Sequence, residues 1–371
     1  MHIKEAKEAV GIRKDCAMKT DYFIRCYKEG DEIQINDHFN EIFNEKRSLQ
    51  EWEWKFKRSP VSDLNLIIVA EAAGKIVGHY ASIPMILHCM GERIMVVQPV
   101  DTFVHPDYRG TKVLVEMSRR HEDVYLERGY IGGFGFPNRQ AYVVGKRILK
   151  YADLFKLSEL SYRLNLRQSF KYRFKHLPAS LEKTIQKASS KYYSISLSRQ
   201  QHELGVIDGY TFDQCVDDLW NRVCGHFPIL CVRDLPYLRW RYLSVPSKEY
   251  HVVAVGKGEE VNGYLVYTIR EMEETVEGVI VDCLWEDDAA LRALVMAALG
   301  RLSEEGVDYA LFRVNKATAL YEVITELGFS GEGNRAEVPV VYYFAKSHAA
   351  LENAVRDPSL WYFTYGDSDG I

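Results

Sequence analysis

The chain has 371 residues, 47% of them hydrophobic and 27% charged, with a formal net charge of −5. That length amounts to roughly two domains, and the small negative charge gives no general attraction to nucleic acid or acidic membrane, so DNA is not an expected partner. The opening MHIKEAKEAVGIRKD is too charged for a secretory signal, and no apolar run approaches the ~20 residues of a transmembrane span. Seven cysteines contain no C-x-x-C pair, and Cys215, Cys224, Cys231 and His226 fit no zinc spacing. No metal is expected, and reduced thiols in a cytoplasmic protein are.

After an extension over 1–20, a strand is expected at 22–28, helices at about 31–44 and 48–57, and strands near 64–71, 75–88 and 92–104. A helix at about 110–128, the strand IGGFGF, a helix from Asn138 and an apolar strand at 151–166 complete a first unit, 21–166. A basic linker, 167–205, follows; the stretch 163–193 carries eight Lys and Arg against one acid, Glu182. It reads as a solvated face, with membrane or RNA contact as the alternative. The second unit, 206–346, has helices near 211–224 and 234–244 and strands near 249–256, 260–271 and 276–284. Its long helix is capped by Asp287 or Asp288 and stopped by Gly306; strand VDYALFRV, helix KATALYEVITEL and strands to about 345 finish it. The tail, 347–371, ends in WYFTYGDSDGI, too aromatic for a loose end, and is expected to dock back on the fold.

The two units echo each other. Trp54-Lys55-Phe56…Pro60 matches Trp240-Arg241-Tyr242…Pro246, and each motif precedes two strands of which the second carries a glycine, Gly78 or Gly263. An ordered series of matches reads as two copies of one α/β unit. Tight hairpins make the middle strands antiparallel, while helical crossovers demand parallel neighbours, so each sheet is mixed, mostly antiparallel and flanked by helices.

The order of elements, with Val104-His-Pro-Asp-Tyr-Arg-Gly110 closing the fourth strand, resembles the GNAT superfamily of acyl-CoA N-acyltransferases. RCYKEGDEIQINDHFNEIF…EWEWKF is similar to the opening of its tandem subgroup containing the enhanced-intracellular-survival acetyltransferases, and VNKATALYEVITELGF is similar to the segment closing many such domains. The resemblance implies acetyl-CoA or another acyl-CoA as co-substrate. Its pyrophosphate would lie on Arg109, Gly110, Thr111, Lys112, Val113 and Leu114, backbone N–H groups of Phe103 and Val104 would polarise the acyl carbonyl, and Asn138 would also contact the cofactor. Lys112 stands where the family pattern has glycine; it either obstructs the phosphates or adds a cation to them.

Asp101, mid-strand three residues before Val104, is the candidate general base, its alternative being structural hydrogen bonding. His79, His88 and His105 read as packing or capping residues. For the general acid, the helix opened by Asn138 offers Tyr142, displaced from the usual place, where Gly145 stands. In the second unit Asn315 and Tyr321 keep that spacing, but Glu286, Asp287 and Asp288 occupy the phosphate position and repel an anion, so that unit is expected to be non-catalytic. In the resembling subgroup the C-terminal carboxylate serves the first domain as base; the resemblance extends that role to Ile371, or to Asp367 and Asp369, with an aromatic latch as the alternative. The expected activity is acyl transfer to a primary amine of a small molecule or amino sugar. A Fem-type aminoacyl-tRNA transferase and a non-catalytic binding module are the rivals.

Overall fold

The computed structural model describes residues 21–165 and 204–369, save positions 208, 259, 332–336, 346–347, 349–350 and 352–353, with isolated residues between 180 and 188. The extension 1–20, nearly all of the basic linker and Ile371 lie outside the described residues. The first half comprises β1 (Phe23–Cys26), α1 (Asp31–Phe43), α2 (Leu49–Phe56), β2 (Ile67–Ala72), β3 (Lys75–Cys89), β4 (Glu92–Val104), α3 (Val113–Glu127), β5 (Gly132–Gly135), α4 (Arg139–Arg147) and β6 (Ala152–Arg163). The second opens with β7 (Gly205–Ile207), α5 (Cys215–Val223), β8 (Ile229–Cys231), α6 (Leu235–Leu238) and β9 (His251–Lys257). It continues through β10 (Glu260–Glu271), β11 (Val276–Trp285), α7 (Asp288–Glu304), β12 (Tyr309–Asn315), α8 (Ala319–Glu326), β13 (Val338–Phe344) and β14 (Trp361–Tyr362).

Local chemistry sets the boundaries. Ser48 and Glu51 form a reciprocal capping box that starts α2. The strand expected from residue 64 begins at Ile67, because the Asp63 side chain caps a single 3₁₀ turn at Leu64–Leu66. The helix expected over 234–244 is one α turn followed by a widened π turn, Arg239–Leu243, that turns Trp240, Arg241 and Tyr242 inward.

One mixed sheet runs through the molecule in the order β1-β2-β3-β4-β5-β13-β6-β12-β11-β10-β9-β7, with β8 and β14 as a side branch from β3. The two sheets expected from the sequence are thus halves of one. The order reads alike from either end, and the last strand of each half is exchanged: β6 lies against β12, and β13 fills the place beside β5. Ladder bonds between β13 and β6 join the halves.

Helices cover both faces. Ile35, Trp52 and Phe56 of α1 and α2 pack one face together with Phe103, Phe134 and Phe363. Val113, Met117 and Tyr125 of α3 pack the other against Ile68 and Val97. The two repeated glycines share a cause: a Cβ on Gly78 would meet Met117 Cε at 2.9 Å, and one on Gly263 would meet Leu294 Cδ1 at 2.8 Å. Each lets the long helix of its half lie close on the sheet.

Candidate active site

β4 and β5 run parallel but share a single register pair, Val97 with Gly133. Pro99, which has no N–H to give, follows on β4, and the two strands part. The pairing of β4 with β3 also slips, between Val100 and Phe103, where Asp101 takes the left-handed conformation at φ 52°. Beyond the bulge, His105 N–H donates to Val77 O on β3 at 2.8 Å. Strand alternation then turns the Phe103 N–H toward β3 and the Val104 N–H toward the open gap. Of the two expected cofactor contacts on β4, only Val104 has the orientation the role needs.

The strand leads into a 3₁₀ turn, Pro106–Tyr108, and then to Gly110 at φ 81°, a conformation that favours glycine. Arg109 Nε donates to the Val104 carbonyl at 3.1 Å, which folds the arginine along the mouth of the gap. Thr111 Oγ1 donates to Tyr108 O (2.6 Å) and accepts the Val113 N–H (3.3 Å). Lys112 occupies the N-cap position of α3, its own side chain makes no capping bond, and Lys112 itself is exposed. Val113 and Leu114 point their side chains into the core, so what this turn offers outward is helix N–H groups beside two cations.

The second half differs at the equivalent place. Asp287 caps α7 by accepting the Ala290 N–H at 2.8 Å, and Glu286 accepts from Asn262 Nδ2 at 2.7 Å and from Arg222. β11 and β12 also part, after Ile280 and Phe312, but the tail fills that gap. Arg313 lies over the Tyr365 ring at 3.7 Å, and Tyr365 donates to Glu159. The tail is fastened by Arg233, which pairs with Asp282 and Asp367, both at 2.9 Å, in a fully buried cluster.

The same tail reaches the bulge of β4. Gln98 Nε2 donates to Asp367 O at 2.7 Å, Arg241 donates to Gly366 O and Ser368 O, and Lys55 Nζ donates to Asp369 Oδ2 at 2.9 Å. Lys55 also donates to Asp101 Oδ1 at 2.8 Å, while Arg47 holds the other oxygen. Burial alone would raise the Asp101 pKa, but the charges of Lys55 and then Arg47 win and hold it well below the usual carboxylate range. A carboxylate so saturated is a weak base, which counts against the general-base reading of Asp101 and for the structural one. Its carbonyl lies 2.7 Å from His79 Nδ1, and burial lowers the His79 pKa to about 4, so a neutral imidazole carries its proton there. Asp369, 30% exposed, is the more accessible carboxylate.

Tyr142 donates to Asp153 Oδ1 at 2.9 Å, a bond that raises its pKa, and Lys146 takes the other Asp153 oxygen. Those partners tie it to β6 rather than to β4. Asn138 caps α4, accepting the Ala141 N–H at 2.9 Å. A side chain at Gly145 would meet the Tyr151 ring at 2.7 Å; that ring fills the position and joins its hydroxyl to Tyr80 at 2.7 Å. Sequence reasoning missed Arg47, Lys55 and Gln98, whose roles depend on long-range contacts with no spacing signal, although Lys55 stands inside the repeated Trp motif.

A small cavity of about 20 Å³ lies between tail and sheet, lined by Trp54, Lys55, Gln98, Arg241, Asp367 and Asp369 among others. Among the described residues no His, Cys, Asp or Glu cluster could hold a metal, and no helix is long and apolar enough to cross a membrane.

Residues 23–144 match the model of a family described as acetyltransferase (GNAT) domain. No curated protein matches the chain by sequence. Among solved structures it is similar to a GCN5-related N-acetyltransferase from Anabaena variabilis, with TM-score 0.64 and 11% identity, covering 88% of this chain and 73% of that one. It is similar to a probable N-acyltransferase of unknown function from Enterococcus faecalis, with TM-score 0.62, 12% identity and the same coverage. It also resembles Saccharomyces cerevisiae N-myristoyltransferase with bound myristoyl-CoA, with TM-score 0.54 and 12% identity over 89% of this chain and 84% of that one. The chain therefore has the GNAT fold.

Proposed function

We propose that this protein is an acyl-CoA-dependent N-acyltransferase, using acetyl-CoA, that works on a primary amine in the first half of the chain. The observation that carries the reading is the parting of β4 and β5 beside the N-terminus of α3, where the N-cap residue Lys112 makes no capping bond. We read the two halves as tandem copies of one GNAT-like unit. In the second, self-capping by Asp287 and occupation of the gap by the tail leave no place for a cofactor.

In this account the pyrophosphate rests on the N–H groups at the start of α3, with Arg109 and Lys112 as counter-charges. The Val104 N–H polarises the thioester carbonyl. The neutral amine attacks the carbonyl carbon, a C–N bond forms as C–S breaks, and the amine proton passes to a carboxylate of the tail, Asp369. The departing thiolate takes a proton from water or Tyr142. Asp101 is a positioning residue in this scheme: it fixes Lys55, which in turn orients Asp369. Release of free thiol from acetyl-CoA, followed over a panel of amines, tests the reading; amine-dependent release supports it. A folded protein that releases thiol with no amine in a broad panel contradicts it.

A further inference from the structure

A second hollow adjoins the cavity beside the tail. This groove, about 210 Å³, shares Met85, Tyr237 and Trp240 with that cavity, so the two adjoin at the Trp240 indole. No role discussed so far uses it.

Its side-chain hydrogen-bonding groups are few: the Ser59 and Tyr237 hydroxyls and Asp234. Pro60, Pro84 and Pro236 line it and have no N–H, and Val61 and Met85 add only apolar surface. The Trp240 indole N–H is already given to Trp54 O at 2.8 Å. Asp234 accepts the Tyr237 N–H at 3.2 Å as the cap of α6 and lies 3.7 Å from Arg93. A sugar ring here would exchange several water hydrogen bonds for proline and valine carbons, which is unfavourable; an alkyl or aryl body would gain by leaving water.

The charges of the two hollows differ in how far they are satisfied. Asp234 is the charged residue of the groove, and beyond Trp240 the inner cavity presents Asp367 and Asp369 together with Lys55 and Arg241. Lys55 is shared between Asp101 and Asp369, and Arg241 donates to Gly366 O and Ser368 O. Asp367 is 2% exposed, and its Oδ1 finds no donor beyond the weak Cys231 thiol, since Arg233 and Thr364 use Oδ2. The inner end therefore keeps a carboxylate oxygen in want of a donor, which a cationic head supplies, and an apolar body has the proline-lined outer end.

Resting on the acyltransferase reading above, we infer that the acceptor is a hydrophobic primary amine, an alkyl- or arylalkylamine, whose body lies in this groove and whose nitrogen enters beside Asp369. Polyhydroxylated amino sugars fit the groove poorly.

The experiment uses the full chain with 2-phenylethylamine and glucosamine as probes. Binding is followed by tryptophan fluorescence without acetyl-CoA, and transfer by thiol release with it. Phenylethylamine should quench fluorescence and be acetylated with a KM at least tenfold below that of glucosamine. Val61→Trp, at the half-buried rim, should raise its Kd and KM at least tenfold while kcat moves less than twofold; Met272→Trp, on an exposed turn, should change neither. Pro236→Trp on the opposite rim is the second variant should Val61→Trp fold poorly. Preference for glucosamine, or phenylethylamine binding indifferent to both rim variants, overturns the proposal. If acetyl-CoA does not bind, the acyltransferase reading fails by itself, and the fluorescence titration still judges the groove.

Discussion

The indole N–H of Trp54 donates to the backbone carbonyl of Trp240 at 2.8 Å, and the indole N–H of Trp240 returns the bond to the carbonyl of Trp54 at the same distance. The rings stack with centroids 5.2 Å apart and planes 20° from parallel. These are corresponding residues of the repeated motif, so each half presents the same group to the other, as in a two-fold interface. The contact stands beside both the cavity and the groove.

The pair should behave as a unit in stability. Trp240→Ala should cost about 3 kcal/mol, as a buried aromatic removed from a packed site. Trp54→Phe should cost about 1 kcal/mol, the loss of one hydrogen bond with its carbonyl left behind. Urea unfolding of Trp54→Phe, Trp240→Phe and the double variant should give a coupling of at least ~0.5 kcal/mol. Strict additivity would mean that the two indoles do not depend on each other.

Asp101 separates a structural from a catalytic carboxylate. Asp101→Asn should destabilise by about 3 kcal/mol at neutral pH, because Lys55 and Arg47 lose their shared buried partner. The folded carboxyl is held below its ordinary value, so its stabilisation is present above about pH 4 and lost as pH falls through the folded value. The acid limb of stability against pH should accordingly be flatter in Asp101→Asn below about pH 4. The basic group should stay in the kcat/KM profile and shift downward, since Lys55 then pairs with Asp369 alone; a profile that loses its basic group in this variant would restore Asp101 as the base.

Lys112 gives opposite signs for its two roles. If its ammonium assists the phosphates, Lys112→Ala should weaken CoA binding by about fivefold and reduce its salt dependence. If it obstructs them, Lys112→Gly should tighten binding. Isothermal titration of both variants decides, and the exposure of the side chain leads us to expect weakening in both.

How much of this was legible in the sequence differs from feature to feature. The β4–turn–α3 passage was readable, because its signals are local: alternation up to Val104, His-Pro, then Arg-Gly before a helical period. Helix starts were set by short-range caps such as Ser48, and even the displaced boundary at Leu64 has a local cause in Asp63. The exchange of β6 and β13 was not readable, since a strand's pattern states that it pairs but not with whom. Strands β8 and β14, three and two residues long, are too short to show a period. Asp101 was singled out as a candidate base, and only the fold shows the two cations, Lys55 and Arg47, that hold its carboxyl ionised.

Arg233 gives a test of the tail. Arg233→Met leaves Asp282 and Asp367 buried without their cation and should cost about 3 kcal/mol. Limited proteolysis read by mass spectrometry should then cut within residues 361–369 sooner than in the parent, before the sheet is touched. Equal resistance would show that Trp361, Phe363 and Tyr365, each at most 1% exposed, hold the tail without the ionic cluster.

The central claim is that the turn after β4 and the start of α3 hold an acyl-CoA. Isothermal titration of the folded protein with acetyl-CoA measures it most directly. The account predicts saturable one-site binding in the micromolar range, weakened by Gly110→Val, which places a branched side chain where φ is 81°. No heat at millimolar acetyl-CoA, with folding confirmed on the same sample, would contradict it.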